Sequence, residues 1–151
     1  MIEIKKEELI SSETLALLIT KIPEGKGLVV SDGDCVLCNR LILLLLKADR
    51  EKRLIFTTFG SSLFKNRETQ EITPQSLLYI SQAGTFKGSE AVLEISQAIP
   101  QFALLTRVMK FVPVSIREAL YRFVARYRYT IFGRTTKCIL PSSEDAGRFI
   151  K

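Results

Sequence analysis

Asp32-Gly33-Asp34-Cys35-Val36-Leu37-Cys38-Asn39 stands between a short apolar run, Leu28-Val29-Val30, and a long one, Leu41 to Leu46. An apolar strand, a Gly-containing turn and a Cys-x-x-Cys opening a helix form the layout of a thiol–disulfide site. Two cysteines three apart in a first helical turn face the same way, so they can close or reopen a disulfide with little movement. Cys35, the first of the pair, is expected where unpaired backbone N–H groups and the positive end of the helix dipole favour a thiolate. The thiolate is the form that attacks a disulfide.

Composition removes several competing chemistries. The 151 residues contain no histidine, which excludes Ser-His-Asp and Cys-His catalysis and any imidazole-ligated zinc. No apolar run approaches the ~18 residues of a membrane span. Met1 to Glu8 carries charges of both signs and no apolar segment, unlike a secretory signal. The expected compartment is the cytoplasm, where three cysteines suggest chemistry or metal rather than a structural disulfide framework. The net charge of +6 is uneven: residues 101–151 carry 10 basic and 3 acidic side chains, against 12 and 13 in residues 1–100.

Periodicity and punctuation predict a helix over Glu8–Thr20, a strand over Lys26–Ser31 and a helix from Cys35 to about Ala48, capped by Asp34. The Leu41–Leu46 block, apolar on all sides, reads as a buried central helix. Strands follow at Arg53–Thr58, Gln75–Ser81 and Thr85–Lys87, with a short helix over Ser61–Arg67. Helices are expected from Ser89 to Ile99, from Gln101 to Val112, and from a Ser115 cap to Phe132, where Gly133 stops the last; Thr135–Lys151 reads as a tail. A β-α-β unit joined to a β-hairpin and helix is an α/β, thioredoxin-like arrangement. The expected organisation is an N-terminal helical extension (1–25), a thioredoxin-like core with the CxxC (26–100), and a basic helical C-terminal addition packed on it (101–151).

The ordered blocks of this chain resemble the DCC family of predicted thiol–disulfide oxidoreductases, named for an Asp-Cys-Cys signature. The match begins in Asp32-Gly33-Asp34-Cys35-Val36-Leu37-Cys38 and continues in Gly84-Thr85-Phe86-Lys87-Gly88-Ser89-Glu90-Ala91-Val92. It ends in Val112-Pro113, Tyr121 to Tyr129, Phe132-Gly133-Arg134 and Cys138-Ile139-Leu140-Pro141. The resemblance implies thiol–disulfide exchange with Cys35 attacking and Cys38 resolving. Its partners would be a disulfide-containing protein or small-molecule thiol substrate and a recycling reductant, with no bound cofactor. Thioredoxins place a cis-proline before the third strand. Aligning Ser76-Leu77-Leu78-Tyr79 with that strand puts Gln75 in its place and Pro74 one residue earlier.

Other readings stay open on the same residues. Cys35 and Cys38 could be half of a zinc site, for which Cys138 is the one further thiol, or two idle thiols. An apolar strand ending in Asp32-x-Asp34 also resembles the first motif of Mg²⁺-dependent haloacid-dehalogenase-type phosphatases, but no later strand ends in a further acidic pair. Asp32 and Asp34 disfavour a thiolate at Cys35, unless one is a base for Cys38. Otherwise they are a turn residue and a cap. Cys138 reads as a small buried hydrophobe before it reads as a third redox thiol. The helix carrying Arg117, Arg122, Arg126 and Arg128 reads as a solvated basic face with its aromatics turned to the core, rather than a surface for anions, nucleic acid or acidic membrane. As a rival function, that region would make the chain a non-catalytic thioredoxin-like binding module. Arg126 or Arg134 is expected to offset Asp32 and Asp34.

Overall fold

The computed structural model describes residues 12–59, 61, 77–136 and 142–150. Helix α1 (Ser12–Lys21) leads into β1 (Gly27–Ser31), α2 (Val36–Ala48) and β2 (Leu54–Thr58). The hairpin β3 (Leu78–Ser81) and β4 (Gly84–Lys87) precedes α3 (Ser89–Ala98), a 3-10 turn at Pro100–Phe102, α4 (Ala103–Phe111) and α5 (Val114–Phe132). The sheet order is β2-β1-β3-β4, with β1 parallel to β2 and the other neighbours antiparallel. The fold is α/β and thioredoxin-like, with α2 as the crossover between the two parallel strands.

Strand alternation divides the core between the two faces of the sheet. Val29, Leu54, Phe56 and Tyr79 pack with Ile42 and Leu45 of α2 and with Ala91 and Ile95 of α3. Leu28, Val30, Ile55, Leu78 and Ile80 pack with Leu18 of α1 and with Ile22 beyond it. Every residue of β1 is buried, as befits an inner strand covered on both faces. Gly27 begins it because a Cβ there would run into the Tyr79 ring.

Three expectations are corrected. The Leu41–Leu46 block is not buried all round: Ile42 and Leu45 face the sheet, while Leu43 and Leu44 are exposed. Helical spacing leaves room for only one face against one sheet, so the run of leucines exceeds what the core can cover. The last helix begins at Val114 after Pro113, with no side-chain cap from Ser115. The stretch after it is more than a tail. Phe149 bridges Phe56 in parallel, and the Ile150 N–H donates to the Phe56 carbonyl at 2.9 Å. Beside this, the buried Arg148 reaches Asp49 and donates to the Leu54 carbonyl at 3.1 Å. Gly133 does end α5, at φ 82°. Expected features at Pro74, Gln75, Cys138 and within Ser61–Arg67 beyond Ser61 lie outside the described residues.

Candidate active site

The site is built by the turn between β1 and α2. The Asp34 N–H donates to Asp32 Oδ1 at 2.9 Å, an Asx turn that aims the chain into the helix. The Asn39 amide donates to the Gly33 carbonyl at 3.2 Å and holds the turn from the helix side. Cys35 then has extended geometry (φ −94°, ψ 120°) and is the N-cap of α2. Its Sγ accepts the N–H of Cys38 at 3.3 Å, occupying the place a serine or aspartate oxygen usually takes. The expected Asp34 cap is therefore displaced by one residue. Asp34 is exposed and contributes main chain, its carbonyl accepting the Thr135 N–H at 2.9 Å.

Cys35 and Cys38 lie together as free thiols in unlike surroundings. Cys35 is fully buried. The chain beyond α5 lies over it: Arg134 pairs with Cys35 as an isolated antiparallel bridge, and the Val36 N–H points to the Gly133 carbonyl at 3.5 Å. Cys38 is half-buried and lines a groove of about 440 Å³ between α2, α3, α4 and α5. Leu41, Leu77, Val92, Leu120 and Val124 give the groove apolar walls, and Asp32 and Arg128 supply charge. Burial, the hydrogen bond with Cys35 and the charge of Cys35 push the Cys38 thiol up to about 12. Arg128 opposes that rise, and Asp32 adds to it.

The partner of Asp32 is neither of the two arginines expected from the sequence. Arg128 Nη2 lies 3.2 Å from Asp32 Oδ2, with both side chains almost wholly buried. Tyr129 Oη donates to the same carboxylate oxygen, and Arg128 Nη2 donates to Tyr129 Oη at 3.2 Å. Arg126 is exposed, with its guanidinium over the Tyr127 ring. Arg134 stacks over Tyr129, 4.1 Å from the ring centroid, so it borders the site through that ring and through its bridge to Cys35. A signal for Arg128 was available. It follows Tyr121 by two helical turns and so shares its face. Tyr121 faces inward, accepting the Leu77 N–H at 2.8 Å. An arginine on an inward face requires a buried counter-charge.

Asp32 and Asp34 do not present two carboxylates to one cavity. Asp32 lines the groove with its oxygens committed to Asp34, Arg128 and Tyr129, whereas Asp34 lies outside it. The second sequence block does local work as well. Ser89 opens α3 and directs both its N–H and its hydroxyl to Glu118 of α5, at 3.3 and 2.6 Å, fixing the groove's far wall.

The sequence family described as DCC1-like thiol-disulfide oxidoreductase matches residues 29–134, from β1 through the strap over Cys35. The chain belongs to this family. Among curated proteins it is similar to the uncharacterized protein YuxK of Bacillus subtilis, 28% identical over 79% of this chain and 90% of that protein. It is also similar to a chloroplastic DCC family protein of Arabidopsis thaliana, 31% identical over 78% of this chain and 71% of that protein. No solved structure matches the chain. Family membership supports a redox function in general terms and, with it, disulfide or thiol substrates. Among the described residues, no helix is long and apolar enough to cross a membrane.

Proposed function

We propose that this DCC1-like chain is a thiol–disulfide oxidoreductase in which Cys35 attacks and Cys38 resolves. The observation that carries the reading is the asymmetry of the pair. Cys35 Sγ receives an N–H at the head of α2, while the Cys38 thiol is pushed up to about 12 and holds its proton. A thiolate at Cys35 attacks one sulfur of a substrate disulfide, forming a mixed disulfide and releasing the other sulfur as a thiolate. Cys38 then gives up its proton, and its sulfur attacks Cys35, releasing the second substrate thiolate and leaving a Cys35–Cys38 disulfide. Two electrons pass to the substrate, and a thiol reductant returns the pair to the dithiol. A reducing compartment such as the cytoplasm would supply that reductant. Asp32 lines the groove beside Cys38 and is the proposed acceptor of its proton. Arg128 and Tyr129 position the carboxylate.

One observation favours reversed roles: Cys38 faces the groove, whereas Cys35 lies under Gly133–Thr135. In the principal reading, Cys35 acts after those residues move aside. Redox titration tests the proposal itself. In glutathione buffers of graded poise, the protein should interconvert between forms differing by two hydrogens in mass. Cys35→Ser and Cys38→Ser should each abolish that couple. A wild-type chain that stays dithiol across the series, or disulfide formation that survives either substitution, would refute the pair.

A further inference from the structure

The C-terminal helices depart from expectation in a way that carries a further function. Their aromatics are not all turned inward: Phe123 is 59% exposed and Tyr127 39%, while Tyr121 and Tyr129 face the body of the protein. On α5, Ile116, Leu120, Phe123, Tyr127 and Ile131 are all exposed and recur at intervals of three and four, forming one apolar stripe along the helix. Arg122 and Arg126, also exposed, form a basic stripe beside it. On α4, Leu104, Val108 and Phe111 repeat the pattern, Phe111 being 83% exposed, with Arg107 and Lys110 alongside. Val108, Leu120 and Val124 belong both to these exposed faces and to the wall of the Cys38 groove, so the groove opens onto the same apolar surface.

We propose that the outer face of α4 and α5 docks onto an anionic lipid bilayer, with the two helices lying in its interfacial plane. An apolar stripe flanked by arginine and lysine, with exposed phenylalanine and tyrosine, is what buries into the headgroup boundary of such a surface. The charge count selects this occupant over a second copy of the chain. Residues 103–132 contain six basic side chains and a single acidic one, Glu118; Arg107, Lys110, Arg122 and Arg126 are on the exposed face, whereas Arg128 is buried against Asp32 and Arg117 turns to Ser89. Glu118 is turned to Ser89 and pairs with Arg122 at 3.7 Å, leaving Arg107, Lys110 and Arg126 without an acidic neighbour on these two helices, so self-association through this face would oppose like charges. The docking goes beyond the redox proposal and does not depend on it. If both hold, the groove containing Cys38 meets the bilayer and takes its substrate from there.

Co-sedimentation of the full chain with vesicles tests the proposal. Vesicles of phosphatidylcholine and phosphatidylglycerol (7:3) should pull the protein down at 0.1 M salt, and pure phosphatidylcholine should bind at least tenfold less. Raising the salt to 0.5 M should weaken binding several-fold. Arg122→Glu with Arg126→Glu, and separately Phe123→Asp with Ile131→Asp, should each lower binding at least tenfold. Arg122→Lys with Arg126→Lys should retain it. These positions are outside the groove, and the arginine changes leave the apolar packing untouched. Equal binding to the two vesicle types, or none, would overturn the proposal. So would a wild-type dimer in light scattering that Phe123→Asp converts to monomer, which would make this face an interface between copies.

Discussion

Two buried aspartate–arginine pairs flank helix α2, and they have different consequences. Behind the helix, Asp49 accepts the N–H groups of Arg53 and Leu54 at 3.0 and 2.8 Å and pairs with Arg148. In front of it, Asp32 accepts the Asp34 N–H and pairs with Arg128 and Tyr129. In both, an arginine from the C-terminal third reaches back to a carboxylate of the β-α-β unit, and both arginines are buried. Only the front pair lines the groove and acts on Cys38. Asp49 and Arg148 pin the chain's end against β2 and line no part of that groove. Burial of an ion pair therefore does not mark a site by itself; its position against a thiol and a cavity does.

The largest effect should come from breaking the rear pair. Arg148→Met leaves the Asp49 carboxylate buried with its two backbone donors and no counter-charge, which should cost about 3–5 kcal/mol of stability. Urea unfolding reads this, and thiolate absorbance near 240 nm should show no change at Cys38. A clear shift in the Cys38 titration would erase the distinction between the pairs.

Asp32→Asn sharpens the same contrast. The amide keeps an acceptor for the Asp34 N–H but removes the carboxylate that faces the buried Arg128, so the stability loss should be no larger than for the rear pair, about 3–5 kcal/mol at most. The Cys38 titration should move down from about 12, because a charge that raises it has been removed. Arg128→Met should move it further up. Shifts of the opposite sign would contradict the placement of these charges.

The last effect is a pH dependence of stability. The Cys38 thiol has a folded value near 12, above its ordinary value of 9.0, so the folded state holds a proton that the unfolded chain has lost. The stability contributed is fully present below pH 9 and declines as pH rises through the window from 9 to 12. Tyr79 and Tyr121, both raised by burial, add to alkaline loss of stability. The test is therefore the difference between wild type and Cys38→Ser across that window. The variant should show the shallower decline, and parallel curves would refute the assignment.

Much of this was legible in the sequence because it is local. Gly27 to Cys38 is a strand, an Asx turn and a helix start, each signalled by neighbouring residues, and the hairpin is marked by Gln82-Ala83-Gly84. What escaped was a one-residue shift of the cap and contacts between distant residues. Cys35 takes the cap because its own Sγ reaches the Cys38 N–H, leaving Asp34 outside. The spacing from Tyr121 turns Arg128 inward, but the pair with Asp32 spans 96 residues and no local pattern names that partner. By sequence alone, the leucine run of α2 and the aromatics of α5 read as core. Hydrophobicity records what a side chain would bury against, and the described fold supplies a covering surface for only part of them.

The division of labour between the two cysteines is the central claim, and trapping the intermediate tests it most directly. Each serine variant, in a Cys138→Ser background, would be mixed with glutathione disulfide at pH 7 and followed by mass spectrometry. Cys38→Ser should accumulate a stable glutathione adduct on Cys35. Cys35→Ser should react at least tenfold more slowly, its remaining Cys38 thiol being held protonated by burial. A faster adduct on Cys38 in the Cys35→Ser chain would contradict the account and make the groove-facing thiol the nucleophile.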